Sequence, residues 1–368
     1  MKTYFGTALV FVVLIVGCAE GRKPPTPTSM VKISEGLEYW FGDLTPCTKF
    51  GETAFNCDVQ CSVVGPFSAC VAIDPIVPPV KVAVQPFCID EHEVTNLQYL
   101  YCEETGKCPR RPADDLPTTN IASYAIDEKY ENYPALAHSF QHAKAYCESV
   151  GKRLPTEFEW ELVASGSPQN ADLSDKRLYS FLPAGEADVD KCIGMDLTIP
   201  ACRRDGTSTT TAVKSSVGDV ITLPNGGQVY DMGGNVKEWT STRYQDKVTC
   251  VENSLADCNY GTAEQLPPDQ CDCAGESCFR ICPEQPADTA ICALRFDSNE
   301  LIETPDVTLS PEFGNERVIK GGFYYMGEND ICQARTTNRD HRPDEGTKTH
   351  PALGIRCAAT VGTHPDCQ

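Results

Sequence analysis

The chain is poor in positive charge and in histidine. It has 31 lysine and arginine residues against 52 aspartate and glutamate residues, for a formal net charge of −21, and only six histidines. A surface this acidic repels phosphate groups, which argues against nucleic acid and an anionic membrane surface as partners. Six histidines also leave little material for a histidine-rich metal centre. Bound divalent cations fit the charge, although a solvated acidic surface is its commoner cause.

Long apolar runs are also scarce, and the clearest one lies near the start of the chain. Ala8–Val16 is too short to span a bilayer as a helix and leads into Gly17-Cys18. We interpret residues 1–17 as a lipoprotein signal peptide, Cys18 as the lipidated residue and residues 18–29 as a tether. The alternative is an ordinary signal peptide with an incidental cysteine. The expected location is the bacterial cell envelope, on a membrane through the N-terminal lipid, and Ala19 favours the outer membrane.

The 21 cysteines fit export to an oxidising compartment. Setting aside Cys18 leaves 20, an even number that permits complete pairing in disulfides. Two cysteine-rich stretches, about residues 44–75 and 245–300, are expected to be insertions held by disulfides. Cys250–Cys292 contains seven cysteines, an odd number, so one of them should pair outside the insertion, with Cys332 as our candidate partner.

Three segments carry helix signals. Thr95, Ser139 and Thr156 each stand where an N-cap is expected, before apolar residues at helical spacing. Gly106 and Gly151 stand where the first two helices should end. The rest of the chain is typical of short strands and long loops. An α+β fold with little regular secondary structure and many disulfides is therefore predicted.

Four short blocks follow one another along the chain. They are FCIDEHEVTN (Phe87–Asn96), GKRLPTEFEWE (Gly151–Glu161), YDMGGNVKEWT (Tyr230–Thr240) and IKGGFYYM…GIRC (Ile319–Cys357). In this order and spacing they resemble the formylglycine-generating enzyme family, also called the sulfatase-modifying factor family. The resemblance implies that family's fold, a variant of the C-type-lectin architecture, over residues 30–360, with residues 361–368 as a C-terminal tail. It also implies a structural disulfide between Cys147 and Cys357.

The resemblance implies structural calcium at the third block, where carboxylates stand beside two glycines that permit a tight turn. The family's ligand positions correspond here to the side chains of Asp231 and Glu238 and the carbonyls of Gly234 and Val236. The alternative is a turn in which the carboxylates only accept backbone N–H bonds. The resemblance also implies a second, looser calcium set, with the side chains of Asp188 and Asp205 and the carbonyls of Val189 and Thr207 as ligands.

The same resemblance also shows a difference from the family's enzymes at the positions that carry their reaction. The family's enzymes bind Cu(I) with two thiols after a Gly-Gly strand, and use oxygen to convert a cysteine in a C-x-P-x-R segment of a sulfatase to formylglycine. Counting from Gly321-Gly322, those positions are Met326 and Ile331, and Cys332 is displaced by one residue. In an extended segment this displacement turns the side chain to the opposite face, which argues against copper.

Arg335 and Arg339 keep the family's arginine spacing, and either line a groove for an anion or pair with carboxylates. We expect a non-catalytic binding or scaffold domain whose partner is an unidentified envelope protein or a glycan. Two alternatives stay open. One is a copper-dependent oxidase that makes formylglycine in sulfatases, and the other is a lectin-like module that binds glycans.

Overall fold

The computed structural model describes much of the region that the resemblance covers. The described residues are 23–34, 37–42, 60–64, 67–71, 80–111, 123–166, 176–186, 209–244, 263–265, 279–281, 294–297, 300–301, 316–324, 331–345 and 352–368. Several predictions fall outside these ranges. They are the lipidated Cys18, the copper position Met326 and the second calcium set, Asp188, Val189, Asp205 and Thr207. The cysteines of the two insertions also lie outside them, except Cys61 and Cys70 in short strands.

The described strands are short, from two to seven residues. They are β1 (Met30–Ile33), β2 (Glu38–Phe41), β3 (Gln60–Val64), β4 (Phe67–Val71), β5 (Val80–Ala83), β6 (Phe87–Asp90), β7 (Val220–Thr222), β8 (Gln228–Tyr230), β9 (Lys237–Arg243), β10 (Ala263–Gln265), β11 (Phe279–Ile281), β12 (Leu294–Asp297), β13 (Glu300–Leu301), β14 (Glu316–Lys320), β15 (Asp340–Pro343), β16 (Leu353–Gly354) and β17 (Ala358–Thr360). Such short strands agree with the predicted low content of regular structure.

Two sheets bring the sequence blocks together. β6, from the first block, is the middle strand of the sheet β1-β6-β17 and is antiparallel to both neighbours. β9, from the third block, lies between antiparallel β14 and parallel β16 in the sheet β15-β14-β9-β16. Residues 355–357 connect β16 to β17, so the GIRC segment passes from one sheet to the other. The candidate site lies around this crossing.

The three predicted helices are confirmed as α1 (Asn96–Glu104), α2 (Phe140–Ser149) and α3 (Glu157–Ala164). In each, the predicted cap side chain accepts a backbone N–H of the first turn, and α1 and α3 have complete capping boxes. Gly106 and Gly151 follow α1 and α2 with φ of +71° and +74°, a conformation that glycine adopts without a steric penalty. Within the described ranges, every helix is too short or too polar to reach across a bilayer.

Two apolar clusters make up most of the described core. One packs Phe158 and Trp160 of α3 against β1, β2 and β6. The other packs the buried faces of α1 and α2 against Trp239 of β9 and Ile355 of the GIRC segment. Because each cluster packs helices against sheet strands, blocks that are far apart in sequence are held at fixed positions.

Three disulfides join described cysteines: Cys88–Cys367, Cys102–Cys108 and Cys147–Cys357. The Cys147–Cys357 bond is the one that the resemblance implies, and it joins α2 to the GIRC segment. The sequence analysis did not predict the bond from Cys88 in β6 to Cys367. This bond fastens residues 361–368 to the sheet, so the segment that we set apart as a tail is part of the folded domain.

Candidate functional site

The third block forms a tight turn between β8 and β9. Asp231 and Asn235 have φ of +60° and +63°, in the left-handed region that non-glycine residues enter only at a cost. Gly233 leaves no room for a side chain, because a Cβ there would lie 2.4 Å from Ser180 Oγ and 2.7 Å from a ring carbon of Phe181. The conformation of the turn is therefore set by close neighbours on the loop around Ser180.

Asp219 anchors this turn. Its side chain is buried, and its Oδ2 accepts the N–H of Gly233 at 2.6 Å. Its Oδ1 accepts the hydroxyl of Ser180 at 2.5 Å, and its carbonyl accepts the N–H of Asp231 at 3.0 Å. Burial raises the pKa of Asp219. Both carboxylate oxygens therefore have donors, and Asp219 fixes the backbone next to Asp231.

Asp231 has an oxygen available for a ligand. The residue is 1% exposed, its Oδ2 accepts the N–H of Lys214 at 2.7 Å, and its Oδ1 accepts no hydrogen bond from the described part of the chain. Burial, and after it the charge of Asp219, raises the pKa of Asp231 to about 7. A buried oxygen without a donor is destabilising unless some other group interacts with it.

Glu93 is a second such residue, and sequence reasoning missed it. It lies between the third block and the GIRC segment, since Tyr230 N–H donates to the Glu91 carbonyl at 2.9 Å and Val94 N–H donates to the Ile355 carbonyl at 2.7 Å. Glu93 is 0% exposed, and neither carboxylate oxygen accepts a hydrogen bond from any other described residue. Burial, and after it the charge of Asp231, raises the pKa of Glu93 well above its usual range.

Glu238, the other predicted side-chain ligand, already has partners. Arg356 donates to its Oε1 through Nε at 2.9 Å and Nη2 at 2.8 Å, and to its Oε2 through Nε at 3.0 Å. Trp160 Nε1 donates to Oε2 at 2.7 Å. The predicted carbonyl ligands Gly234 and Val236 lie on the turn itself and are buried. The four predicted positions are thus close together in the fold. Their two carboxylates differ, because Asp231 has an oxygen without a donor, whereas both oxygens of Glu238 already accept hydrogen bonds.

These residues form an acidic cluster: Glu93, Asp219, Asp231 and Glu238, with Arg356 as the guanidinium that acts on all four. If all four buried carboxyl groups are ionised, their negative charge exceeds the single positive charge of the guanidinium. Each buried charge without a counter-ion costs on the order of several kcal/mol. No three histidine, cysteine, aspartate or glutamate side chains converge as metal ligands in the described ranges. A cation here would therefore use two carboxylates together with backbone carbonyls, a hard oxygen set that suits calcium.

The copper positions are described in part. Ile331 is 0% exposed and begins a single turn of 3₁₀ helix, Ile331–Ala334. Our assumption of an extended segment at this point is therefore wrong. In a 3₁₀ helix successive side chains turn by about 120° rather than 180°. Cys332 follows Ile331 on this turn, but its side chain is not among those described.

Arg339 pairs with a carboxylate, which is one of the two alternatives left open for this arginine. Its Nε donates to Glu157 Oε2 at 2.6 Å and its Nη2 donates to Glu157 Oε1 at 3.0 Å. Both side chains are buried, at 3% and 1% exposure. Arg339 is therefore half of a buried bidentate ion pair with the first residue of α3, and its guanidinium is not presented to an external anion.

The fold, the four blocks and the site define a protein of the formylglycine-generating-enzyme class. A family model described as the sulfatase-modifying factor enzyme 1-like domain matches residues 50–361, and the chain belongs to this family.

The relatives differ in what they are named. The chain is 32% identical over 178 residues to the serine/threonine-protein kinase pkn1 of Chlamydia pneumoniae, over 45% of this chain and 24% of the kinase. It is 26% identical over 234 residues to the formylglycine-generating enzyme of Thermomonospora curvata, over 62% of this chain and 56% of that enzyme. The chain thus matches less than two thirds of either relative's length. The structure of PvdO from Pseudomonas aeruginosa aligns at 17% identity with a TM-score of 0.47, over 92% of this chain and 100% of PvdO.

Proposed function

We propose that this protein is a non-catalytic, calcium-stabilised binding or scaffold domain of the cell envelope. The observation that supports the non-catalytic part is Ile331. It stands at the family's second copper-thiol position and is fully buried, so an apolar packing residue replaces a thiolate there. The sequence places Met326, with a neutral thioether, at the first thiol position. Cu(I) binding of the family's kind needs thiolates.

A direct assay tests this proposal. The purified protein is incubated with Cu(I), oxygen and a C-x-P-x-R peptide, and mass spectrometry follows the peptide cysteine. We expect no formylglycine. A matched variant that carries Met326→Cys and Ile331→Cys restores both thiols, and conversion by this variant alone would identify the missing thiols as the cause. Conversion by the unsubstituted protein would contradict the proposal.

The second candidate is the copper-dependent oxidase, with Cys332 as one ligand. Its test is a thiol count on denatured, unreduced protein. A count of zero excludes Cys332 as a copper ligand, whereas one or two thiols favour the oxidase. Cys332 follows buried Ile331 on a 3₁₀ turn, in which successive side chains are about 120° apart. To act as a copper ligand, Cys332 would have to reach the ion from a direction different from that of residue 331.

The calcium part of the proposal is supported by the unpartnered oxygens of Asp231 and Glu93 and by the excess of carboxylates in the acidic cluster. Isothermal titration of chelator-treated protein with calcium tests it. The lectin-like alternative would use calcium to hold a sugar, whereas a buried site does not expose the ion. A glycan array with and without chelator separates the two, and we expect no calcium-dependent glycan signal.

The export and anchoring part is supported by the sequence around Cys18 and by the long-range disulfides Cys88–Cys367 and Cys147–Cys357, which persist in oxidising compartments. Metabolic labelling with a fatty-acid analogue should mark the protein in a bacterial host, and Cys18→Ser should abolish the label and release the protein from the membrane fraction. A labelled Cys18→Ser variant would contradict lipidation at this residue.

A further inference from the structure

We propose that the outer stripe of α1, formed by Leu97, Leu100 and Tyr101, rests on the lipid bilayer to which the chain is anchored. The inference rests on the proposed lipidation of Cys18, and it adds a membrane contact that the folded domain makes itself. It follows from where the N-terminal segment is fastened to the domain and from the direction in which this stripe faces.

The segment before β1 is fastened to the domain, although the sequence predicted residues 18–29 as a tether. Gln98 Nε2 donates to the Thr26 carbonyl at 2.9 Å and to the Thr28 hydroxyl at 3.1 Å. Lys152 Nζ donates to the Thr28 carbonyl at 3.0 Å, and Thr28 is 4% exposed. The chain is therefore held on the surface of the domain from Thr26 onward, and the tether ends there.

The chain between the lipid anchor and this point is short. Cys18 and Thr26 are eight residues apart. An extended chain spans at most about 3.6 Å per residue, so this stretch reaches no further than about 29 Å. A compact domain of about 330 residues has a radius of gyration of about 20 Å and is about 50 Å across. The tether is therefore shorter than the domain is wide, and the side that carries Thr26 stays next to the bilayer.

The outer stripe of α1 points away from α2. Tyr99 and Cys102 are buried against α2, where the Tyr99 hydroxyl lies 3.5 Å from the His142 carbonyl oxygen and Cys102 Sγ lies 3.1 Å from Ser149 Oγ. With 3.6 residues per turn, the three residues of the stripe lie on the opposite side of the helix. They are partly exposed, and neither of the two described apolar clusters includes them. Their helical spacing is that of a core-facing stripe, yet they face outward.

The stripe also lies beside the point where the tether ends. Gln98, which holds Thr26, directly follows Leu97 and is less than one helical turn from Tyr101. The stripe is therefore on the side of the domain that the short tether keeps near lipid. Two leucines and a tyrosine suit the boundary between headgroups and acyl chains, where apolar groups are buried and a phenol keeps its hydroxyl in water. Because this contact is apolar, a neutral bilayer suits the acidic domain better than an anionic one.

The test measures which part of the anchored protein touches lipid. The full-length, lipidated protein is reconstituted in neutral phosphatidylcholine vesicles with brominated acyl chains, which quench tryptophan fluorescence at short range. Tyr101→Trp reports on the outer stripe. Lys144→Trp is the matched control on α2, on the other side of α1, where the Lys144 side chain is 48% exposed. After subtraction of the unsubstituted protein, we expect quenching of Tyr101→Trp to exceed that of Lys144→Trp by about threefold or more.

A second variant tests whether the stripe binds lipid or only lies near it. Leu97→Ser and Leu100→Ser together remove two apolar side chains and leave Gln98 in place to hold the tether. Added to Tyr101→Trp, they should lower its quenching by about twofold or more, because less apolar surface is gained from contact with lipid. Circular dichroism checks that the variant is folded. If it is not, Leu97→Ser alone replaces the pair and is judged by the same criterion.

Two results would overturn the inference. One is quenching of Tyr101→Trp that does not exceed that of Lys144→Trp, which would leave the stripe to a protein partner or a second copy of the chain. The other is quenching that the serine substitutions do not change. Fatty-acid labelling of the same samples separates the inference from the proposed anchoring at Cys18. Labelled protein with either result loses only the contact of α1 with lipid, whereas unlabelled protein loses both the anchor and the contact.

Discussion

Two buried charged clusters meet at Trp160, and they are balanced in opposite ways. In the lysine–glutamate cluster, Glu161 accepts Lys176 Nζ at 2.6 Å and Lys320 Nζ at 3.0 Å, and all three side chains are at most 1% exposed. Trp160 lies beneath Lys320, with the ammonium 5.6 Å from the ring centroid, and its indole N–H donates to Glu238 in the acidic cluster. One cluster has two cations for one carboxylate, and the other has four carboxylates for one cation.

The difference separates a structural role from a ligand-binding role. The excess positive charge of the lysine–glutamate cluster is met by fixed dipoles, since Lys176 Nζ also donates to the carbonyls of Trp40 and Gly42 at 2.8 Å. The acidic cluster leaves oxygens of Glu93 and Asp231 without donors. Burial makes both situations costly, but only the second is relieved by adding an ion from solution. Calcium should therefore affect one cluster and not the other.

The largest effect is expected from Glu161→Gln. The substitution removes the counter-ion of two buried lysines, and breaking a buried ion pair on one side costs about 3–5 kcal/mol. Urea unfolding in saturating calcium measures the loss. Glu148→Gln, at an exposed pair with Lys144, should change the free energy of unfolding by no more than about 0.5 kcal/mol. A loss below about 1 kcal/mol in Glu161→Gln would mean that water reaches the lysines, and the contrast between the clusters would fail.

Calcium removal comes next in size. A ligand present at 100 times its dissociation constant stabilises the folded state by about 2.7 kcal/mol. Unfolding in calcium and in EDTA should differ by this amount in the wild type and equally in Glu161→Gln, because the two clusters are separate. A smaller calcium effect in Glu161→Gln would show that the clusters are coupled through Trp160.

Trp160→Phe tests that connection more directly. It removes the hydrogen bond to Glu238 and keeps an aromatic ring near Lys320, so the free energy of unfolding should fall by about 2 kcal/mol, the range for a bond to a charged group. Calcium affinity should stay unchanged if Glu238 is held by Arg356 and is not a ligand. Titration calorimetry of the variant measures the affinity, and a large loss would indicate that Glu238 is a calcium ligand.

Local features of the fold were predictable from the sequence. Thr95, Ser139 and Thr156 cap the three helices, because capping depends on a side chain and the N–H groups two or three residues after it. Ile331 was identified by its place after the Gly-Gly strand, although the surrounding turn was expected to be extended. The family resemblance supplied the Cys147–Cys357 bond, which no local pattern encodes.

The pairings of buried charges were not predictable, and the reason is distance along the chain. Arg356 meets Glu238 across 118 residues, and Lys320 meets Glu161 across 159. A glutamate or lysine in the sequence carries no mark of burial, and most such residues are exposed. Glu93 was overlooked for this reason, and Cys367 was left in a tail because its partner, Cys88, lies 279 residues away.

The smallest predicted effect is the pH dependence of the contribution that Glu161 makes to the free energy of unfolding. Burial by itself would raise the pKa of Glu161, but Lys176 and Lys320 outweigh it and hold the pKa below its usual value of 4.5. As the pH falls, the unfolded chain therefore binds this proton before the folded chain does. The contribution of Glu161 to stability is complete above about pH 4.5 and is lost as the pH falls through the lower folded-state pKa.

The chain has many other carboxylates, so the wild type alone cannot isolate this contribution. The difference in free energy of unfolding between the wild type and Glu161→Gln does so, because the two proteins share every other titrating group. Measured in urea at pH 7, 5, 4 and 3.5, this difference should stay constant down to about pH 4.5 and then shrink, in line with linkage between protonation and folding. A difference that grew in acid would mean that the folded state, and not the unfolded chain, takes up the proton first, and Glu161 would then be short of positive charge like the carboxylates of the acidic cluster.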